Sequence, residues 1–261
     1  MSRWIFVKAN AVPWEPTDVS GLMAWYKADE ISQSDDTEIS EWSDASGNGY
    51  HMSGLGTPKP KFRTSVQNGL GVVRFNGTGF FERAVWTGYP DNNEAITIGA
   101  VFKNISSANH MVVTAGVSGG PRQDNVRVNS NGDYSVLRRQ ADGSFRYVES
   151  DSAASIGYQT YVAGINASAE AFMRSNGAAV AFSYGGAYSN LTLANNTPSH
   201  VGLGSFRGID KLPNDAEIAE VVMYDSAISE SDQQKLEGYL AWKWGLESSL
   251  ASGHPYENAA P

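Results

Sequence analysis

The sequence predicts an all-β protein, an antiparallel sandwich of two sheets with one C-terminal α-helix. Three observations carry this reading. Short runs rich in Val, Ile, Phe and Tyr recur along the chain between clusters of Gly, Asn and Ser. Asn-Gly stands at 68–69, 76–77, 131–132 and 176–177, with Asp142-Gly143 as its equivalent, and this dipeptide supplies the positive φ angles of tight hairpin turns. Only residues 217–245 combine the apolar spacing and the caps of a long helix. A dozen short strands require two sheets or a barrel to bury their apolar faces.

From the N-terminus, residues 4–9 (WIFVKA) are a candidate strand, set apart by Pro13 and Pro16. Residues 1–16 therefore read as an arm or extra strand, and residues 17–261 as one sandwich domain. Trp4, Ile5, Phe6 and Val7 are the assembly residues of that arm, because an apolar edge strand can be extended by another chain. Further strands are expected at 21–28, 38–42, 71–75 and 95–103, then at 126–128, 134–138, 145–148, 161–165, 171–174, 178–183 and 201–204. The Ala/Ser/Asn-rich stretch 183–199 reads as a surface loop. A strand at 218–224 leads into a helix capped by Ser229 or Ser231, with Leu236, Tyr239, Leu240 and Trp244 on one apolar stripe and Lys235, Glu237 and Lys243 outside it. Gly245 is the expected stop.

Composition narrows the function. The net charge of -9, with no basic cluster longer than Arg138-Arg139, argues against nucleic acid as a partner. No run of about 18 apolar residues exists to insert into a membrane, and the first residues lack the apolar core and cleavage site of a secretory signal. The chain has no cysteine, which excludes disulfides and thiolate metal sites.

Taken together, residues 21–29 (GLMAWYKAD), 41–54 (EWSDASGNGYHMSG), 72–81 (VVRFNGTGFF) and the GYLAWKWG ending of the helix resemble the concanavalin A-like, laminin-G-like jelly-roll family. The resemblance runs from about residue 18 to the C-terminus. It implies a jelly-roll sandwich that serves as a carbohydrate-binding or adhesive module. The tail 252–256 (SGHPY) resembles the branch of this family found in bacteriophage virion proteins and bacterial surface proteins. At 219–220 the chain has Ala-Glu where many of these domains carry Asp-Glu, so a calcium ligand of some relatives is missing.

Candidate chemistry follows from residue type and spacing. Asp44, Ser46 and Asn48 place oxygen atoms at alternate positions before Gly49, yet position twelve of an EF-hand would be Leu55. A looser structural calcium site of Asp44, Asn48 and Glu220 is set against an Asx-type turn closed by its own hydrogen bonds. Sugar binding needs aromatic faces beside polar groups, and the loop-like set is Trp86, Tyr89, Asp91, Asn93, Tyr184, Tyr188, Phe206 and Arg207. Trp25, Trp42, Trp242 and Trp244 are assigned to packing.

Catalysis is not expected. Glycoside hydrolysis needs two carboxylates facing one sugar. Glu149-Ser-Asp151 comes nearest, but Ala154 stands where a further Glu would be required, and Glu217 and Glu220 point to opposite faces unless a bulge intervenes. The four histidines form no zinc pattern.

The expectation is a non-enzymatic structural, decoration or attachment protein on a bacteriophage virion surface, with a lectin-like fold. Its partners are other virion proteins, copies of itself or a cell-surface glycan. The alternative is a free carbohydrate-binding module, extracellular or on the bacterial cell surface; a glycan-active hydrolase is the weaker one.

Overall fold

The computed structural model describes residues 13–90, 94–105, 110–116, 122–139, 145–185, 200–205 and 211–261. The strands are β1 (Leu22–Lys27), β2 (Thr37–Glu38), β3 (Glu41–Trp42), β4 (Met52–Leu55), β5 (Lys61–Gln67), β6 (Leu70–Asn76), β7 (Phe80–Arg83), β8 (Ile96–Asn104) and β9 (His110–Gly116). They continue as β10 (Arg122–Val128), β11 (Asp133–Arg139), β12 (Phe145–Ala153), β13 (Gly157–Ile165), β14 (Ala171–Ser175), β15 (Ala178–Ala179), β16 (Phe182–Tyr184), β17 (His200–Leu203) and β18 (Asn214–Tyr224). The helix α1 is Glu230–Trp244. Residues 1–12, which hold Trp4, Ile5, Phe6 and Val7, lie outside the described residues.

The strands form two antiparallel sheets packed as a sandwich. Sheet A runs β15-β14-β13-β8-β18-β6-β5-β2, with β1 also paired to β18; sheet B runs β16-β12-β11-β10-β9-β17-β7-β4-β3. Both sheets end in strands of two or three residues. Alternation decides which side chains enter the core. Along β11, Tyr134 and Val136 point inward, Val136 beside its β12 partner Val148 and Tyr134 stacked on Tyr161 of sheet A, while Ser135 and Leu137 point outward. Two turns have the geometry that Asn-Gly requires: Asn68 and Gly69 have φ of 51° and 74°, and Asn176 and Gly177 have 47° and 77°.

Helix α1 lies on the outer face of sheet A. Ser229 caps it by accepting the Asp232 N–H at 3.1 Å, and Gly245 closes it with φ of 66°. A Cβ on Gly99 of β8 would lie 2.6 Å from Leu236 Cδ2, so the missing side chain lets the helix approach the sheet. The apolar stripe is wider than its spacing suggests. Glu237, expected outside the stripe, is fully buried, because the β14 side chain Arg174 meets it with Nε 2.8 Å from Oε2.

Candidate functional site

The proposed calcium ligands do not converge. Asp44 Oδ1 accepts the backbone N–H of Trp25 and Ser46, each at 2.9 Å, and Oδ2 accepts the Ser46 hydroxyl at 2.8 Å and the Tyr50 N–H at 3.0 Å. Asn48 Nδ2 donates to the carbonyls of Leu22 and Met23. The 44–48 turn thus satisfies the outer edge of β1 as a neighbouring strand would. Glu220 belongs to a separate network. Its Oε1 accepts Trp25 Nε1–H at 2.6 Å and the Tyr239 hydroxyl at 3.0 Å; Oε2 accepts Trp244 Nε1–H at 2.7 Å and the Lys243 ammonium at 2.8 Å. Burial works against the charge on Lys243, but Glu220 and Asp29 outweigh it and hold its pKa above the ordinary lysine value. Every lone pair that a cation would need on Asp44 and Glu220 is committed, which corrects the expected ligand set. No group of three or more His, Asp or Glu suited to a metal ion occurs among the described residues.

The bulge that pairing of the two glutamates required is present. Glu217 sits opposite Lys103 and Glu220 opposite Val101, so one extra residue of β18 turns both carboxylates to the helix side of sheet A. They remain in separate hydrogen-bond sets. Glu217 is buried and held by Arg74, with Nε at 2.7 Å, by the Tyr158 hydroxyl at 2.5 Å and by Lys103 at 3.3 Å. Tyr158, desolvated and beside this carboxylate, has its pKa pushed up.

Two of the expected sugar-binding aromatics are core residues and a third is half-buried against the core. Trp86 and Tyr89 are each only 2% exposed. Tyr50 stacks on Trp86 with ring centroids 4.2 Å apart, and Tyr89 meets Trp86 edge-on, so neither ring offers a free face. Tyr184 turns inward from β16, and its hydroxyl accepts the Ala171 N–H of sheet A. Asp91, Asn93, Tyr188, Phe206 and Arg207 lie outside the described residues. Gly116 pairs with Arg122 and His200, Arg139 pairs with Phe145, and Arg138 Nη2 donates to Glu94 O. The strand ends next to segments 91–93, 117–121 and 140–144, and that following 186–199, therefore share one end of the sandwich.

An outward stripe on sheet B combines an aromatic ring with polar groups. Tyr147 and Glu149 of β12 share one face by period two, and Asp151, which lies in a bulge opposite β11, is brought beside them by Ser183, the β16 partner of Glu149. Asn129 Nδ2 donates to Glu149 Oε1 at 2.7 Å, and Ser183 Oγ donates to Asp151 Oδ1 at 2.9 Å. Ser135 lies opposite Glu149 on β11; it is fully buried and its hydroxyl has no hydrogen-bond partner among the described residues. The Tyr147 ring rests on Gly185, where a Cβ would lie 2.2 Å from Cζ. Carboxylates, an amide and hydroxyls around a ring can orient a polyol. The tyrosine was legible only as one strand residue among many, since its outward direction depends on the register of β11 and β12. Ala154, where a further acid would be required, packs in the core instead, and its N–H donates to Gly132 O.

The fold is a two-sheet antiparallel β-sandwich, an architecture shared with solved structures of distant sequence. No family model and no curated protein matches the chain. Solved structures share its architecture at 11–15% identity, which carries the fold alone. The binding domain of Paraclostridial Mosquitocidal Protein 1 aligns with a TM-score of 0.58 and 11% identity over 86% of this chain and 53% of that one. Domain 4 of AbnA, an extracellular arabinanase from Geobacillus stearothermophilus solved with arabinotriose, aligns at 0.58 and 13%, over 83% of this chain and 98% of that domain. Trypanosoma rangeli sialidase aligns at 0.53 and 15%, over 87% of this chain and 33% of the enzyme. The chain thus spans about half of the first of these proteins and a third of the last.

Proposed function

We propose that this chain is a non-catalytic carbohydrate-binding module that holds a glycan across β11, β12 and β16. The observation that carries the reading is the outward stripe Tyr147, Glu149 and Asp151, flanked by Asn129 and Ser183. Its likeness to an arabinanase domain solved with arabinotriose supports a saccharide ligand at the level of fold. Binding is favoured over hydrolysis because Glu217 and Glu220 are both saturated by donors, while Glu149 and Asp151 lie beside Asn129 and Ser183 and the position of a further acid is Ala154. Glycan-array binding by the purified chain tests this. Binding to a defined glycan that drops in Glu149→Ala is expected; an array with no bound glycan, or sugar release from a polysaccharide, overturns the reading.

For the biological setting we propose a structural or attachment role on a bacteriophage virion, with other virion proteins or copies of this chain as partners. The resemblance of the 252–256 tail to the family branch found in bacteriophage virion and bacterial surface proteins supports it, as does the apolar arm at Trp4–Val7. Electron microscopy of particles labelled with an antibody to this protein is the test. Absence from particles leaves a free module, extracellular or on a bacterial surface.

A further inference from the structure

Six of the seven tryptophans fall among the described residues. Trp25, Trp42, Trp86 and Trp244 are 3% exposed or less. Trp14 and Trp242 are half-buried, and these two, from opposite ends of the chain, line the same groove together with Tyr239, Glu15 and Lys243. The groove holds about 300 Å³. Packing accounts for the four buried indoles; Trp14 packs on the core through one side and, with Trp242, lines the groove with the other.

The rings are fixed in place. Trp14 meets Tyr239 edge-on, with centroids 5.9 Å apart and planes at 62°. Trp242 Nε1–H donates to Tyr256 O at 2.8 Å, and Tyr239 is held by Glu220 at 3.0 Å. Lys243 is anchored by Asp29 and Glu220 at 2.9 and 2.8 Å. Such a wall needs no ordering when a ligand arrives, which removes part of the entropy cost of binding. Glu15 is exposed at the rim and presents a carboxylate acceptor.

We propose that this groove is a second saccharide site, on the helix side of the sandwich and separate from the β12 stripe. A pyranose ring would lay its C–H face on Trp14 or Trp242 and donate hydroxyl hydrogens to Glu15. The proposal rests on the carbohydrate-binding reading for its ligand class, and on the groove for its location.

The test titrates the full chain with cellopentaose, chitopentaose and maltopentaose, following tryptophan fluorescence, and maps N-bromosuccinimide oxidation by mass spectrometry. One of these saccharides is expected to bind and to shield Trp14 and Trp242 from oxidation. Trp14→Ala should weaken binding roughly ten-fold or more. Glu15→Gln, a change at an exposed residue, should weaken it without moving the melting temperature, which separates loss of the site from loss of the fold. Saccharide binding that leaves both indoles oxidisable, or that is lost only in Glu149→Ala, overturns the groove and leaves the carbohydrate reading intact. Protection by choline but by none of the saccharides overturns the ligand class, and absence of all binding overturns both proposals.

Discussion

The indole N–H of Trp244 donates to Oε2 of Glu220 at 2.7 Å, joining the last residue of the helix to the central strand of sheet A. Trp25 of β1 reaches the other oxygen of the same carboxylate. One buried acid therefore fastens a strand from the start of the domain, a strand near its end and the helix.

Removing that carboxylate strands its partners. Glu220→Ala leaves two buried indole N–H groups without their acceptor and the Lys243 ammonium with Asp29 as its one remaining carboxylate. Breaking a buried ion pair from one side costs about 3–5 kcal/mol. Urea denaturation should show an unfolding free energy lower by that amount, and an unchanged midpoint would contradict the fastening role.

Asp44 supports β1 by hydrogen bonding, so its loss should destabilise the fold whether or not calcium is present. In Asp44→Ala the N–H groups of Trp25 and Tyr50 lose their acceptor, at about 1–3 kcal/mol for each group left buried. Chelation with EGTA should leave the melting temperature of the unaltered protein where it was. A fall on chelation, restored by calcium, would reinstate a cation at this turn.

Glu237 and His254 give the stability a pH dependence of two signs. Burial pushes the Glu237 carboxyl up to about 7 from 4.5, against the opposing pull of Arg174. The folded state then keeps a proton that the unfolded chain has released, and stability falls as pH rises from 4.5 to about 7. His254, 3.4 Å away, has its pKa lowered from 6.5 by burial and by Arg174, so it adds stability as pH rises toward 6.5. Glu230 and Glu257 also face the pair. The glutamate slope is cleanest between 6.5 and about 7. Stability of the protein relative to Glu237→Gln, measured from about pH 5 to about pH 8, should decline by an amount on the order of 2–3 kcal/mol. A flat difference would show that Arg174 keeps the acid ionised throughout.

Gly99 sets how closely the helix sits on the sheet. Gly99→Ala places a methyl 2.6 Å from the Leu236 side chain and should cost about 1–3 kcal/mol by overpacking. In a Leu236→Ala background the same change should cost far less. Additive costs in this double-mutant cycle would place the strain elsewhere.

Much of the fold was legible because local signals agreed with the tertiary structure. The Asn-Gly turns at 68–69 and 176–177 and the Ser229 and Gly245 caps depend on a few adjacent residues. β5 was harder to see, since Lys61, Arg63 and Gln67 dilute its apolar pattern while Arg63 pairs with Asp35 across a loop. The site was less legible still. Trp86 stands in a loop-like run and is buried by Tyr50, far away in sequence, which stacks on it, and by Tyr89, which meets it edge-on. Trp242 lies in a motif that reads as core, yet the helix rotates it to the groove, because Leu240, Ala241 and Trp244 take the buried side. Likewise, the period-two rule put Glu217 and Glu220 on opposite faces, and a single bulge reversed that.

The short strands that finish both sheets have a further consequence. β2, β3, β15 and β16 offer two or three residues each, and the 44–48 turn occupies the free side of β1. A visiting backbone finds no ladder on these described margins long enough to zip onto. Anything this body grips there must be recognised through side chains, so its repertoire can be re-tuned by point substitution while the scaffold keeps its shape.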